Sequence, residues 1–336
     1  MPLKLAFSRR TAIWVGAGAL CFAAPQKRIR TMALVAERDQ KRLQAFYDTQ
    51  TKYHPAPVPT PLDRAVAISF VNAHVSLATS PEKMRKLMRL AVFYDLRETS
   101  SAFASILVPG ASDAIQIGRT AMALIAIAWI GDSAQQAGAL QIFHQLQGQA
   151  DPELHRHLML EVVEAFGPKE GTGAHREWVE SAIGKLEARL KQEQAANNIP
   201  GIKSTREKAK ALTEYRNIQL VRVDRAFTIR RKVESVPAPD QIPMLVALCL
   251  MSAPESTPEL SFWASMRLLR FDASLRHQIG AGFLAQARSP DLIRARGLRA
   301  AEYFGHPLPD PDRQWLASQE DTGTDPLVLR PDWYKV

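Results

Sequence analysis

Cysteine is nearly absent from this chain. Two occur in 336 residues: Cys21 inside one apolar run and Cys249 inside another, Met244 to Met251. A disulfide framework is therefore excluded as the source of stability, and no paired-cysteine zinc signature can form. Strand-like alternation of apolar and polar residues is scarce, which argues against a β-sheet core. No HExxH, phosphate-loop or nucleophile-elbow sequence occurs, so no motif announces an enzyme. Acids are missing from the start of the chain. None precedes Glu37, while Lys4, Arg9, Arg10, Lys27, Arg28 and Arg30 all do. Subtracting those six from the net charge of +9 leaves +3, close to neutral for this size, which removes any whole-protein case for nucleic-acid binding.

What is abundant is helix punctuation. Five times a capping residue, a proline and an acid follow one another: Ser80-Pro81-Glu82, Asp151-Pro152-Glu153, Thr257-Pro258-Glu259, Ser289-Pro290-Asp291 and Asp310-Pro311-Asp312. The first residue can accept from the unbonded N–H groups of a helix start. Proline at the first helical position costs no hydrogen bond, and the acid complements the positive helix end. The pattern predicts a stack of short helices with sharp entries.

The N-terminal segment 1–36 reads as a targeting or anchor segment. Arg9-Arg10 precede the apolar run Thr11 to Ala24, which is too short to span a bilayer comfortably, since about 20 residues are needed. Ser8-Arg9-Arg10-Thr11-Ala12-Ile13 resembles the twin-arginine export signal of bacteria, although the usual phenylalanine after the variable position is absent. The resemblance implies an exported, periplasmic or membrane-associated protein. A mitochondrial presequence and a retained anchor, with Lys27, Arg28 and Arg30 just beyond the run, stay open. Leu20 before Cys21 does not suit lipidation.

Residues 37–61 read as a charged helix over 37–53, followed by a proline-rich linker, His54 to Pro61. From there a weak repeat emerges. Val92-Phe93-Tyr94-Asp95, Ala128-Trp129-Ile130-Gly131 and Glu164-Ala165-Phe166-Gly167 each close an apolar segment at 36-residue spacing, and Glu302-Tyr303-Phe304-Gly305 ends a fourth. Glycine at this place suits the left-handed conformation that stops a helix. Second helices are predicted around 97–107 and 133–147. These spacings resemble HEAT-like helical repeats, whose units cannot bury their faces without neighbours. The resemblance implies an all-α fold: an irregular α-solenoid of antiparallel helix pairs, with stripes such as Leu87, Leu90, Ala91 and Tyr94, or Leu124, Ile127, Ala128 and Ile130, forming its core. N-terminal repeats would occupy 62–168 and C-terminal repeats 240–318. Between them, 169–239 reads as an inserted helical hairpin. Its first helix is His175 to Gln194, with Trp178, Ile183, Leu186 and Leu190 along one side; a turn covers Asn197 to Gly201, and a second helix covers Ser204–Val233. Residues 319–336 read as an extended tail.

The strongest functional signal is charge. Lys203, Arg206, Lys208, Lys210, Arg216, Arg222, Arg225, Arg230, Arg231 and Lys232 are opposed between Lys203 and Lys232 only by Glu207, Glu214 and Asp224. Such a helix can grip phosphates, acidic headgroups or an acidic protein surface. It can equally be a solvated face balanced by acids elsewhere in the fold. Arg216, Arg222, Arg225, Arg230, Arg231 and Lys232 are the candidate partner-binding residues, and Arg294, Arg296 and Arg299 form a smaller group. His157 and Glu161 share a helix face with Glu153, but His155 points away, so no metal site is expected. Ser80 and Lys83 match the serine–x–x–lysine pattern of penicillin-recognising enzymes without its companion motifs, and Ser80 is better read as a cap. Val15-Gly16-Ala17-Gly18 resembles the start of a dinucleotide-binding turn, but the third glycine position is Cys21. No catalytic residue and no cofactor is expected. The sequence points to a non-catalytic scaffold or adaptor that binds a protein through a groove and the basic hairpin. An anionic polymer or a membrane surface is an alternative target. The alternative functions are a structural subunit of a membrane complex, anchored by the N-terminal apolar run, and an enzyme with a dispersed active site acting on an anionic polymer.

Overall fold

A computed structural model describes residues 33–49, 62–168, 172–288 and 291–319. The first helix, α1, covers 33–48. It is followed by α2 (Arg64–Val75), α3 (Pro81–Phe93), a short α4 (Ser100–Ala104), α5 (Ala114–Ile130), α6 (Ser133–Gln149) and α7 (Pro152–Phe166). Then come α8 (Gly173–Ala195), α9 (Ile199–Tyr215), a π turn over Arg216–Leu220 and α10 (Val221–Glu234). The last five are α11 (Ala238–Cys249), α12 (Pro258–Leu269), α13 (Arg276–Gln286), α14 (Asp291–Tyr303) and α15 (Asp310–Ser318). No strand occurs among the described residues, and the fold is all-α. The targeting segment lies outside them except for 33–36, as do most of the proline-rich linker and nearly all of the tail.

The capping phrase works as read in three copies. Ser80 accepts from the amide of Lys83, Asp151 from that of Glu153 and Thr257 from that of Leu260. Ser289-Pro290 lies outside the described residues. At the fifth copy the helix starts one residue early: Pro309 holds the cap position, and the Asp310 carboxylate is engaged by Arg313 at 3.2 Å. The repeated endings at Phe93, Ile130 and Phe166 are helix ends, as the spacing predicts. Gly167 (φ +84°) and Gly305 (φ +77°) take the left-handed conformation, and Asp95 does so without being glycine (φ +48°). Gly131 differs. It is extended (φ −72°) because Asp132 immediately opens α6 with a capping box to Gln135. Glycine is needed there for clearance, since a Cβ would sit 2.6 Å from the Ile127 carbonyl oxygen.

Other boundaries moved. The helix expected over 97–107 is reduced to a single 3₁₀ turn and α4, with Pro109 and Gly110 beyond it. The turn expected at 197–201 shrinks because Asn198 caps α9 and Pro200 fits within the first helical turn. The second hairpin helix therefore starts at Ile199 and continues through the π turn into α10.

Two apolar clusters form the interior. The larger is centred on α5, which packs against α3, α4, α6 and α7. No residue from Ile117 to Ile130 is exposed, so the expected single stripe becomes burial on every side. Leu87, Leu90, Ala91, Leu124, Ile127 and Ile130 are all buried, with Tyr94 and Ala128 at the margin. Gly118 allows α3 to approach: a Cβ there would lie 2.6 Å from Cγ of Pro81. The first helix belongs to this core through Leu43, Phe46 and Tyr47. Its C-terminal end is held by the buried Lys86, whose Nζ donates to the carbonyls of Tyr47 and Thr49. Burial pulls the Lys86 pKa below its ordinary value. The smaller cluster joins the end of α10 to α11–α15. Within it the buried Cys249 thiol lies 3.0 Å from the Ser265 hydroxyl.

The helices α6 to α9 enclose a relay of hydrogen bonds. Gln147 Nε2 donates to Nδ1 of His175 at 3.2 Å, which leaves the imidazole proton on Nε2 facing Tyr215 Oη at 2.9 Å. The tyrosine donates onward to the Arg156 carbonyl at 2.8 Å. His175 is buried, and desolvation, followed by the neighbouring His157, lowers its pKa to about 4.

Two outcomes are expected. Gly118→Ala should lower stability by about 1–2 kcal/mol despite alanine's better helix propensity, because the proline ring cannot yield. Urea denaturation of the variant would check it. The unfolded chain protonates His175 near pH 6.5 and the folded chain only near 4. Stability from this group should therefore be complete above about pH 6.5 and fall by about 3 kcal/mol as pH drops to about 4. A urea-midpoint series against pH should show that slope, and His175→Gln should remove it.

Candidate functional site

The basic run divides when it is folded. Lys208 pairs with Glu153 at 2.7 Å, Lys210 with Glu214 at 3.8 Å, Arg216 with Glu180 at 3.9 Å and Arg222 with Glu259 at 3.3 Å. Those four are balanced by acids. Among the described residues Arg231 reaches only the Thr228 hydroxyl, at 3.5 Å. Arg225 and Lys232 are exposed and have no ion pair or hydrogen bond among the described residues. Beside them Ile218 and Val221 are exposed apolar residues, with Val221 and Arg225 one helical turn apart. The π turn precedes this face and sets its rotation relative to α9.

Arg230 is placed differently from its neighbours. It is only 6% exposed and donates to the Glu164 carbonyl at 2.8 Å. Its guanidinium lies 5.4 Å from the Phe227 ring and 5.2 Å from the Trp263 ring. It ties α10 to the end of α7 and to α12, so it serves the junction of the two cores rather than the surface. Charge alone does not mark it, but helical spacing does: Arg230 falls on the same side of α10 as the buried Val223, Phe227 and Val233.

That junction holds a cleft. Trp129, near the end of α5, packs against both clusters and meets Phe262 edge-on at 5.5 Å. On one side of it is an open cleft bordered by Ile125, Glu161, Arg222, Phe227, Glu259 and Phe262. On the other is a space of about 660 Å³ bordered by Gln136, Gly167, Trp263, Arg267 and Arg270. Trp129 and Arg230 border both. The first side has the mixed apolar and polar lining typical of a ligand cleft. Its Glu161 is held by Arg85 at 3.0 Å, and Glu259 by Arg222. Acid–base chemistry on a carboxylate pair needs environments that push the two pKa values apart. Here Glu161 and Glu259 are both paired with arginines, and a third carboxylate, Glu164, lines the same space with its Oε2 closed off from solvent.

The remaining candidates are separated. His155 Nδ1 faces the Asp151 carbonyl at 3.3 Å, and His157 packs edge-on against Tyr215 at 4.9 Å. Glu153 and Glu161 are in ion pairs on different neighbours. No group of three or more metal-ligating side chains occurs among the described residues. Ser80 is the cap of α3, and the Lys83 ammonium sits 5.1 Å from the Tyr47 ring centre. Arg294 is paired with Asp312 at 2.9 Å and stacked on Trp315. Charge counting did not single out Trp129, Arg267 or Arg270. The available signal was the spacing of aromatics and arginines three or four apart: Phe227 with Arg230, Trp263 with Arg267, and Arg267 with Phe271.

Arg230→Ala should cost about 2–4 kcal/mol, since it empties a space between two rings and strands the Glu164 carbonyl. Arg225→Ala should change stability by no more than about 0.5 kcal/mol. Chemical denaturation of the two variants would separate the inward arginine from the outward one. Compared with known protein families, with curated proteins and with solved structures, this chain matches none.

Proposed function

We propose that this chain is a non-catalytic helical-repeat scaffold or adaptor that docks an acidic protein partner. In this reading the helices stack as solenoid-like antiparallel pairs, each burying the apolar side of the next. The exposed row Arg225, Arg231 and Lys232, beside Ile218 and Val221, is the observation that carries the proposal. Exposed cations in no ion pair among the described residues, next to exposed apolar side chains, suit a partner segment of alternating acidic and apolar residues. An enzyme acting on an anionic polymer is the weaker reading, because two of the three carboxylates lining the junction cleft, Glu161 and Glu259, are bound by arginines. Export by the N-terminal segment would deliver the scaffold to the periplasm or a membrane surface. No helix among the described residues is long and apolar enough to cross a membrane.

The test is charge reversal at Arg225, Arg231 and Lys232 together, with Arg230 left in place to preserve the fold. Affinity capture from the source cell should retain a specific partner with the wild-type chain. The triple variant should bind it on the order of a hundredfold more weakly at low salt, with an unchanged thermal midpoint. Undiminished capture would sink the reading. Loss of binding to anionic vesicles or to a sulfated polymer, with protein capture intact, would reassign the face to those surfaces.

A further inference from the structure

We propose that the cavity beyond Trp129, where the ends of α5 and α7 meet α10 and α12, binds an oxyanion of the phosphate or carboxylate class. Three arginines, Arg230, Arg267 and Arg270, and one carboxylate, the exposed Glu234, border one open cleft, so cations outnumber acids there by three to one. Arg267 is half-buried and has no ion pair or hydrogen bond among the described residues; its Nε is closed off from solvent and unbonded. Arg270 is 16% exposed, and its Nη2 is likewise closed off and unbonded. Among the described residues its counter-charge is Asp95 at 3.3 Å, a carboxylate that also engages Arg97 at 3.2 Å. Burial draws the Arg270 pKa below its ordinary value, with Asp95 opposing, which is the mark of a cation short of compensation.

The arginines are not simply stoppers for helix ends. The carbonyls of Ala128 and Gly131 at the end of α5 are both bonded by Gln136 at 3.1 Å. At the end of α7, Gly167 bonds the Val163 carbonyl and Arg230 bonds that of Glu164. Those acceptors are engaged without Arg267 or Arg270. Aromatic rings fix the guanidinium positions instead: Arg270 stands 4.9 Å from Trp129, Arg267 5.6 Å from Phe271 and Arg230 5.2 Å from Trp263. A guanidinium with one face against a ring still donates in its plane, where it forms two parallel bonds to a carboxylate or phosphate. Arg230 and Arg270 each commit one edge, to the Glu164 carbonyl and to Asp95, while Arg267 commits none among the described residues and is the fork that an anionic group in the cleft would engage. The site is separate from the exposed face of α10, so it does not depend on the scaffold reading.

The experiment is a thermal-shift titration of the full chain with inorganic phosphate and, in parallel, with succinate. Ionic strength is held constant with sodium chloride. The wild type should show a saturable rise in midpoint with at least one probe. A response to phosphate alone assigns a phosphate ligand, and one to succinate alone a carboxylate. Arg267→Met, which removes the ring contact with Phe271 but no hydrogen bond or ion pair among the described residues, should abolish the rise. Arg267→Lys keeps the charge but loses the fork and should weaken binding on the order of tenfold, which keeps the test open should the methionine variant fold poorly. The triple reversal on α10 should leave the response intact, so failure of the scaffold reading and failure of this site are distinguishable. Absence of a saturable rise with either probe, or an equal rise in Arg267→Met or an equal affinity in Arg267→Lys, would overturn the assignment.

Discussion

Because α5 presents no exposed residue from Ile117 to Ile130, the helices that pack on it must cover it from every direction. Each fully buried leucine or isoleucine on it contributes about 1.5–3 kcal/mol, and that stabilisation is realised only when α3, α4, α6 and α7 are all in place. The requirement explains the close approach of Pro81 to Gly118 and the value of well-defined helix starts at Asp113 and Asp132, whose carboxylates accept from the first amides of α5 and α6. A central helix with no free side makes the larger core cooperative. It also fixes where that helix ends, and Trp129 at that end, together with Leu269 of α12, packs against both cores.

The junction is thus built around one indole. On it and near it, arginines replace the aliphatic side chains that fill the rest of the interior. A guanidinium stacked on a ring can be buried while its charge is met by a carbonyl or a carboxylate, as with Arg230 on Glu164 and Arg270 on Asp95. Asp95 occupies the left-handed residue after α3, and its own carbonyl is gripped by Arg64 at 2.9 Å. The strained link and the interdomain-like contact are therefore the same residue. Polar groups at this seam specify one arrangement of the two cores more narrowly than an apolar seam would.

Much of the helix punctuation was legible. Proline after a capping residue carries its meaning locally, so Ser80, Asp151 and Thr257 could be read without the fold. The ends at Phe93, Ile130 and Phe166 were legible because apolar periodicity stops there. Asp310 misled, because Pro309 could supply the cap position itself. The full burial of α5 was not legible as a stripe, since its face toward α6 and its face toward α3 carry similar residues. The candidate site was half visible. The charge excess between Lys203 and Lys232 marked the right segment, but which cations are balanced depends on Glu153, Glu180 and Glu259, distant in sequence. Counting charge alone groups Arg230 with the outward cations, whereas its helical spacing from Val223, Phe227 and Val233 puts it on the buried side of α10, where Glu164 and Trp263 receive it.

The π turn at Arg216–Leu220 holds one residue more than an α-helical turn would. Excising a residue there to restore regular winding would rotate everything downstream by about 100°. Phe227 would swing out of the larger core, Arg230 would leave its carbonyl, and the outward cations would be carried toward the seam. The irregularity acts as a phase-setter, holding two successive stretches of one long rod at the angle that lets the first serve one interior and the second stitch it to another.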